Sequence, residues 1–393
     1  MSYLNRKLLL GECRLIIFGA GYIGYSTAAF YAKKGIRSLL IDIDKTKVDK
    51  INKGIPPYIE LQGWMGFDIS PIAHLIKAST DWKKVLENDV EVVFICVNTE
   101  RNAEPWTDAL KDVAAKIAEN SDPLLVIIES TMAPGWVDDI VLPLLSRVAV
   151  APRRDWFTLA GLTLETLDRV VGATDEDTLR EAVDVLGIVS QNIHRASNYR
   201  VAELVKSIEN AYRQVGIALS FQLALKFPTI NIREALALAS TKWNMELYQP
   251  SVGIGGYCLP LAPKYLLSAS DNDISIFKES IKSDKVMSQK IAEYLKRKGV
   301  RTARVLGIAY KGDLKVHIAS PGIRLADTLQ GMGITTGIHD PLYSWKEILE
   351  LDTVKFTPFP HWQYEYDATI IACDHTQYKS ISQEELVMSL KNC

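Results

Sequence analysis

At 393 residues the chain exceeds one ordinary hydrophobic core, so two or three domains are expected. Its 48% hydrophobic and 23% charged residues are those of a globular protein, and a net charge of -2 gives no basic footprint for nucleic acid or a membrane surface. Five cysteines (Cys13, Cys96, Cys258, Cys373, Cys393) are scattered without CxxC spacing, which argues against a disulfide framework or a zinc site and fits a reducing cytosol.

In chain order, Leu8-Leu9-Leu10 is too short for a signal sequence and runs into Gly11-Glu12. No apolar run approaches the roughly 20 residues of a membrane span, so a cytoplasmic protein is expected. Leu15-Ile16-Ile17-Phe18 reads as a buried strand, followed by Gly19-Ala20-Gly21-Tyr22-Ile23-Gly24 and a helix to Lys34, which Gly35 stops. Ser38-Leu39-Leu40-Ile41 is the next strand and ends at Asp42. Residues 92–97, 125–128 and 169–172 are further strands. Short apolar runs alternating with amphipathic stretches predict a parallel sheet covered by helices.

From about Asn198 the pattern turns to long helices. Residues 201–227 carry apolar side chains at helical spacing, interrupted only by Gly216, and Pro228 ends the run. A helix this long suits the backbone of a middle helical domain or a dimer interface. Beyond Lys298-Gly299 the alternation resumes, with strands at 305–308, 335–338 and 368–372 and a helix near 323–329. The expected organisation is an α/β unit at each end with helices between.

Gly19-x-Gly21-x-x-Gly24, set between strand and helix, fits a dinucleotide-binding turn. Its first glycine makes the turn, the second lets a pyrophosphate approach, and the third lets helix pack on strand, with the helix N-terminus facing the phosphates. Asp42 stands where an acid would hold the adenosine ribose hydroxyls and repel a 2′-phosphate, which favours NAD over NADP. Tyr22, Ile23, Lys47, Val97, Thr99 and Thr131 complete the expected cofactor shell, the last three from strand ends on the edge where open α/β sheets bind ligands. The plain alternative is a glycine-rich turn without a ligand. Thr131, within Ser130-Thr131-Met132-Ala133-Pro134-Gly135, is also a candidate to orient a water or a substrate hydroxyl, with a helix cap as the alternative.

Lys206 and Asn210, four apart in a helix, share one face. A charge and an amide donor there suit an alkoxide or thiohemiacetal oxyanion, against the plain reading of a solvated lysine with a polar neighbour. Cys258 lies in Gly255-Gly256-Tyr257-Cys258-Leu259-Pro260, where glycines let the backbone approach a ligand while the thiol projects from a bend. A thiolate there can attack an aldehyde and hold it as a thiohemiacetal; an inert buried cysteine is the alternative. Lys311, at a strand-to-loop junction, suits a carboxylate or phosphate. His375, which closes a strand after Asp374, is more often structural than catalytic; His317 and His339 show no metal-ligand spacing, and no metal is expected.

In this order the elements resemble the UDP-glucose/GDP-mannose dehydrogenase family along nearly the whole chain. The resemblance runs from GAGYIG through Cys96-Val97-Asn98-Thr99, Glu129-Ser130-Thr131, Lys206-x-x-x-Asn210, GIGGYCLP and Ala309-Tyr310-Lys311 to His339-Asp340-Pro341 and Asp374-His375. The stretch from Ala239-Ser240-Thr241-Lys242 to Tyr248-Gln249-Pro250-Ser251-Val252-Gly253 looks most like the branch acting on UDP-N-acetylhexosamines. The resemblance implies two Rossmann-like parallel-sheet domains joined by a central helical domain with a long helix. Residues 1–196 would bind NAD, 197–298 would make a homodimer, and 299–393 would bind the UDP part. It further implies a four-electron oxidation at C6 of a UDP-sugar with two NAD. Cys258 would be the nucleophile, passing from thiohemiacetal to thioester. Lys206 and Asn210 would hold the oxyanion, Thr131 would help place a water, and Gly255, Gly256 and Lys311 would meet the substrate.

Three positions depart from the family pattern. Ala262 stands where an Asp usually follows the cysteine by four, and Arg153 follows Pro152 where a Glu assists thioester hydrolysis. The stretch Lys315-Val316-His317-Ile318-Ala319-Ser320-Pro321 replaces one ending Arg-Glu-Ser-Pro, with Ile318 at the arginine. Cysteine attack survives these changes, and Arg153, if near, would favour the thiolate. Hydrolysis needs a base, worth about 10²–10⁴-fold, and is the step expected to suffer. Asp155 and His317 are candidate replacements without a spacing argument for either. Two other readings stay open. One is a two-electron dehydrogenase like the β-hydroxyacid dehydrogenases, which need neither Cys258 nor a third module. The other is a nucleotide-sugar-binding regulatory protein, which would not need Cys258, Lys206 and Asn210 together.

Overall fold

The computed structural model describes residues 2–58, 60–87, 90–155, 162–269, 273–359 and 365–381. Packing divides the chain into two compact units, Met1–Ile208 and Glu209–Cys393. In the first, the strands are β1 (Leu15–Phe18), β2 (Ser38–Ile41), β3 (Ile76–Ser79), β4 (Val92–Ile95), β5 (Leu125–Ile128), β6 (Val148–Val150), β7 (Arg169–Ala173) and β8 (Ile193–Arg195). They form one sheet in the order β8-β7-β6-β5-β4-β1-β2-β3. Neighbours pair in parallel except β6 with β7, an edge feature common on doubly wound sheets.

The central strands are apolar on both faces because both faces are covered. Leu15 and Ile17 enter one core cluster while Ile16 and Phe18 enter the other, and β4 and β5 alternate in the same way. Each such side chain contributes roughly 1.5–3 kcal/mol on burial. Helix α1 (Tyr22–Ala32) is buried from Gly24 to Ala32, so it shows no polar face. The order of strands reverses between β1 and β4, which makes their C-terminal ends the crevice where such sheets take ligands.

Helix α2 (Tyr199–Lys226) begins in the first unit and ends in the second. Its mid-point glycine has a packing cause: a Cβ on Gly216 would lie 2.5 Å from the Tyr248 ring. The second unit holds α3 (Cys258–Ser268), α4 (Ser275–Arg297), α5 (Pro321–Gly331) and a parallel sheet of β9 (Thr302–Leu306), β10 (Thr335–His339) and β11 (Ala368–Ile371) in the order β10-β9-β11. Phe221, Val252, Ile254 and Met287 share one core with Val305, Leu325, Ile338 and Ile370. By packing, therefore, the helices after 209 and the last sheet form a single unit.

The start of the second sheet repeats the start of the first. Gly19 N–H donates to Ile41 O at 2.8 Å, and Gly307 N–H to His339 O at 2.7 Å. Asp42 accepts Ala20 N–H at 2.7 Å and Asp44 N–H at 2.8 Å; Asp340 accepts Ile308 N–H at 2.8 Å and Leu342 N–H at 2.9 Å. A Cβ on Gly24 would sit 1.9 Å from Gly19 O, and one on Gly322 would sit 2.1 Å from Gly307 O. The difference is length: four residues (20–23) separate the first pair of glycines, and fourteen (308–321) separate the second.

Candidate active site

The first cradle is built for close approach. Gly19 has φ +96°, and a Cβ there would meet Cys96 O at 2.3 Å, so the turn closes against the end of β4. Above Gly21 there is open space, and no side chain caps α1 at that residue, which leaves first-turn N–H groups to an anion. Asp42 stands at the end of β2 with Lys47 Nζ 3.9 Å from its carboxylate. Tyr22 stacks on Tyr58 with ring centroids 4.2 Å apart and its hydroxyl donates to Glu60, while Lys47 lies over Tyr58. Tyr22, Lys47 and Asp42 are thus gathered by Tyr58, a residue with no signal in the sequence. Ile43, beside Asp42, is 94% exposed, and nothing in the sequence singled it out.

At the adjoining strand ends the expected residues meet. The Thr99 hydroxyl donates to Thr131 O at 2.5 Å, and the Ser130 hydroxyl donates to Val97 O at 2.7 Å. The Ile23 carbonyl, by contrast, is turned toward the core, where it accepts from Ser26 and from Arg153 at 3.4 Å.

Arg153 belongs to a buried charge cluster. It donates to Thr27 Oγ1 at 2.5 Å and Ser26 Oγ at 3.1 Å on α1, stands 3.6 Å from Glu129, and pairs with Asp155. Arg169 holds the other Glu129 oxygen at 2.8 Å. Burial opposes the charge on Glu129, yet Arg169, Arg153 and the Thr27 hydroxyl hold its carboxyl below the usual value. Arg153 is likewise held protonated: burial opposes its charge, but Asp155 and Glu129 outweigh it.

Lys206 and Asn210 are both buried on α2, in a polar stripe with Glu203, Ser207 and Gln214. In the second unit Cys258 is the first residue of α3 and is exposed. The head of an 11-residue helix favours negative charge on an adjacent oxyanion. Gly256, at φ +84°, would place a Cβ 2.9 Å from the Tyr310 ring, and its N–H donates to Ile318 O at 2.8 Å. Tyr310 therefore lies against the cysteine loop, and burial raises its phenol first, with Cys258 adding to the rise. Next to it Lys311 is lowered by burial, with Asp374 opposing and Arg213 assisting. The other described thiols are unsuited to attack: burial pushes Cys13 and Cys373 up to about 12 and Cys96 well above its usual value. Cys393 lies outside the described residues.

Comparison with known proteins follows the same order along the chain. Residues 13–186 match the NAD binding domain of the UDP-glucose/GDP-mannose dehydrogenase family, 200–284 its central domain, and 304–393 its UDP binding domain. The chain belongs to the UDP-glucose/GDP-mannose dehydrogenase family. As a UDP-glucose/GDP-mannose dehydrogenase it is an oxidoreductase acting on CH–OH donors with NAD. It is 27% identical to the UDP-N-acetyl-D-mannosamine dehydrogenase of Pyrococcus horikoshii over 96% of this chain and 93% of that one. Identity to the UDP-N-acetyl-D-glucosamine 6-dehydrogenase of Salmonella typhi is 24%, over 96% and 93%. The solved UDP-D-ManNAc dehydrogenase of Pyrococcus horikoshii gives a TM-score of 0.79 at 26% identity, covering 95% of this chain and 92% of that chain. The UDP-glucose dehydrogenase of Pyrobaculum islandicum shares the fold, with a TM-score of 0.81 at 21% identity, covering 94% and 91%.

The first cradle fits the NAD of this dehydrogenase family. Gly19, Gly21 and Gly24 would admit the pyrophosphate, and Asp42 would take the ribose hydroxyls. Among the described residues no helix is long and apolar enough to cross a membrane. The family departures also acquire positions. Arg153 is engaged by Glu129, Asp155 and α1. Asp155 pairs with Arg153 in that core. His317 bonds Tyr343 at 3.1 Å and burial lowers its pKa. Ala262, one turn after Cys258, is buried and brings no carboxylate.

Proposed function

We propose that this dehydrogenase oxidises C6 of a UDP-N-acetylhexosamine through a covalent Cys258 adduct, with thioester hydrolysis as its impaired step. The observation that carries this reading is the exposed thiol at the head of α3, behind two glycines packed on Tyr310. The names of the relatives from Pyrococcus horikoshii and Salmonella typhi support the sugar class. Residues 1–196 would serve NAD, 299–393 with Lys311 the UDP part, and 197–298 a homodimer, in a cytoplasm that keeps the thiol reduced.

Bound NAD supplies the hydride acceptor for each of two oxidations. The Cys258 thiolate adds to the C6 aldehyde, forming a C–S bond and moving the carbonyl electron pair onto oxygen. Lys206 and Asn210 stabilise that oxyanion by charge and hydrogen bond. Loss of hydride from C6 and of the hydroxyl proton leaves a thioester. Water must then attack the acyl carbon and expel the thiolate. Thr131 would orient that water, but Arg153 and Ala262 supply no base, a deficit of roughly 10²–10⁴-fold.

The test mixes enzyme, excess NAD and UDP-N-acetylglucosamine or UDP-N-acetylmannosamine. A burst of two NADH per site, slow turnover to a uronic acid and an acyl mass on the Cys258 peptide are expected. Cys258→Ala should abolish turnover and adduct while NAD still binds. Turnover unchanged in that variant, or free aldehyde with one NADH per sugar, would sink the covalent route.

A further inference from the structure

The turn after β5, which carries Thr131, is tied to its surroundings at three points. Thr99 donates to Thr131 O, and the Ser207 hydroxyl donates to Met132 O at 3.5 Å. The third tie is Glu203, whose Oε2 accepts Gly135 N–H at 2.8 Å and whose Oε1 accepts Val137 N–H at 3.1 Å. Glu203 and Ser207 flank Lys206 on α2, three residues before it and one after. At 2% exposure, Glu203 is a buried carboxylate that no step of the proposed chemistry uses. A carboxylate with both oxygens on backbone N–H groups is a strong and directional tie.

We propose that Glu203 is a positioning residue for Thr131: its ionised carboxylate clips the turn 131–137 to the helix bearing Lys206, and protonation releases the clip. Geometry gives the reason. An ionised carboxylate accepts with both oxygens, whereas a carboxylic acid turns one of them into a donor and loses an N–H partner. Burial pushes Glu203 up to about 7; Gly135 and Val137 N–H groups oppose this, Asp138 adds to it, and Trp136 N–H opposes it. Asp138 is in turn held by the Tyr199 hydroxyl and by Arg200, the other charged or titratable neighbours. The clip therefore opens as pH falls through neutrality. The folded value lies above that of a free carboxyl, so this group's contribution to stability falls as pH rises from about 4.3 to about 7.

The inference rests on the reading of Thr131 as a residue at the reacting centre, so two readouts are needed. Hydrogen exchange on the ligand-free wild type should show residues 130–138 better protected at about pH 8 than at about pH 5.5, after correction for intrinsic rates. Equal protection overturns the clip, and no active variant is required for this arm. With NAD and either UDP-N-acetylhexosamine, Glu203→Gln should lower kcat by roughly tenfold or more at about pH 8 and abolish the acid limb of the wild-type profile. Glu203→Asp should restore part of both. A Gln variant that keeps the wild-type kcat and acid limb overturns the assignment to Thr131. Because exchange is read without substrate, that failure is distinct from absence of UDP-sugar turnover.

Discussion

The Arg153 guanidinium forms part of a buried set of two arginines and two carboxylates, with Glu129, Asp155 and Arg169 all having side chains no more than 4% exposed. Charges taken out of water are tolerable only in balance, and removing one partner of such a set typically costs about 3–5 kcal/mol. That makes Arg153 a poor place to rebuild the acid-forming step. Arg153→Glu supplies the residue type common in the family, yet it leaves three carboxylates and one arginine in the cluster beneath α1. The expected result is a fall of about 10 °C or more in melting temperature without faster acid production. Arg153→Met, which leaves Asp155 unpaired, should fall less. Thermal melts of both variants beside the parent, with product analysis, decide it; a Glu variant as stable as the parent and hydrolysing faster would mean the cluster is misread.

The repeated cradle shows how one element can be adapted to two tasks. At β1 the glycines are close in sequence, so the turn is short and leaves open space at Gly21. At β9 the inserted residues 308–321 carry Tyr310 and Lys311 instead. This loop is anchored by His375, whose Nδ1 accepts Asp313 N–H at 3.0 Å and whose Nε2 therefore carries the proton toward Asp340 at 3.0 Å. Thr376 adds two bonds to Asp313. His375→Ala should loosen the loop and raise KM for the UDP-sugar about tenfold while KM for NAD stays unchanged; equal changes in both would show a general loss of structure. The same comparison explains what the sequence made legible. Apolar runs marked β1, β2, β4, β5 and β7 because both faces are buried, and Gly19, Gly21 and Gly24 stood close enough to be seen as one motif. The second cradle was hidden because its paired glycines are split by the insertion. Helix α3 was hidden by Pro260 and Pro263, although the first lies where an N–H would lack a helical partner anyway. Strand β8, a half-buried Ile193 followed by exposed His194 and Arg195, has no period to read. Apart from neighbouring Asp155, the partners of Arg153 come from α1 and the end of β5, distances in sequence that no local pattern encodes.

Helix α2 has its two faces the wrong way round for a lone chain. Glu203, Lys206, Ser207, Asn210 and Gln214 are buried, while Val201, Ile208, Tyr212 and Leu219 are exposed at 43%, 50%, 73% and 56%. The exposed four recur at spacings of seven, four and seven, which sets them within about 20° of one line on a helix. Further along, Leu238 and Trp243 are exposed at 65% and 92%. A stripe of this kind normally meets another apolar surface, and a second copy of the same helix offers one of identical shape. The homodimer we propose would use it, and the test separates association from folding. Tyr212→Glu with Leu219→Glu places charge on the stripe without touching Lys206 or Asn210. Sedimentation should show the parent at the mass of two chains and the double variant at the mass of one, with NAD binding retained. A desolvated apolar contact of standard size, near 800 Å² per partner, does not tolerate two unpaired carboxylates. If the variant still sediments as the parent does, the subunits meet elsewhere, and the exposed stripe must be covered by something other than its own copy.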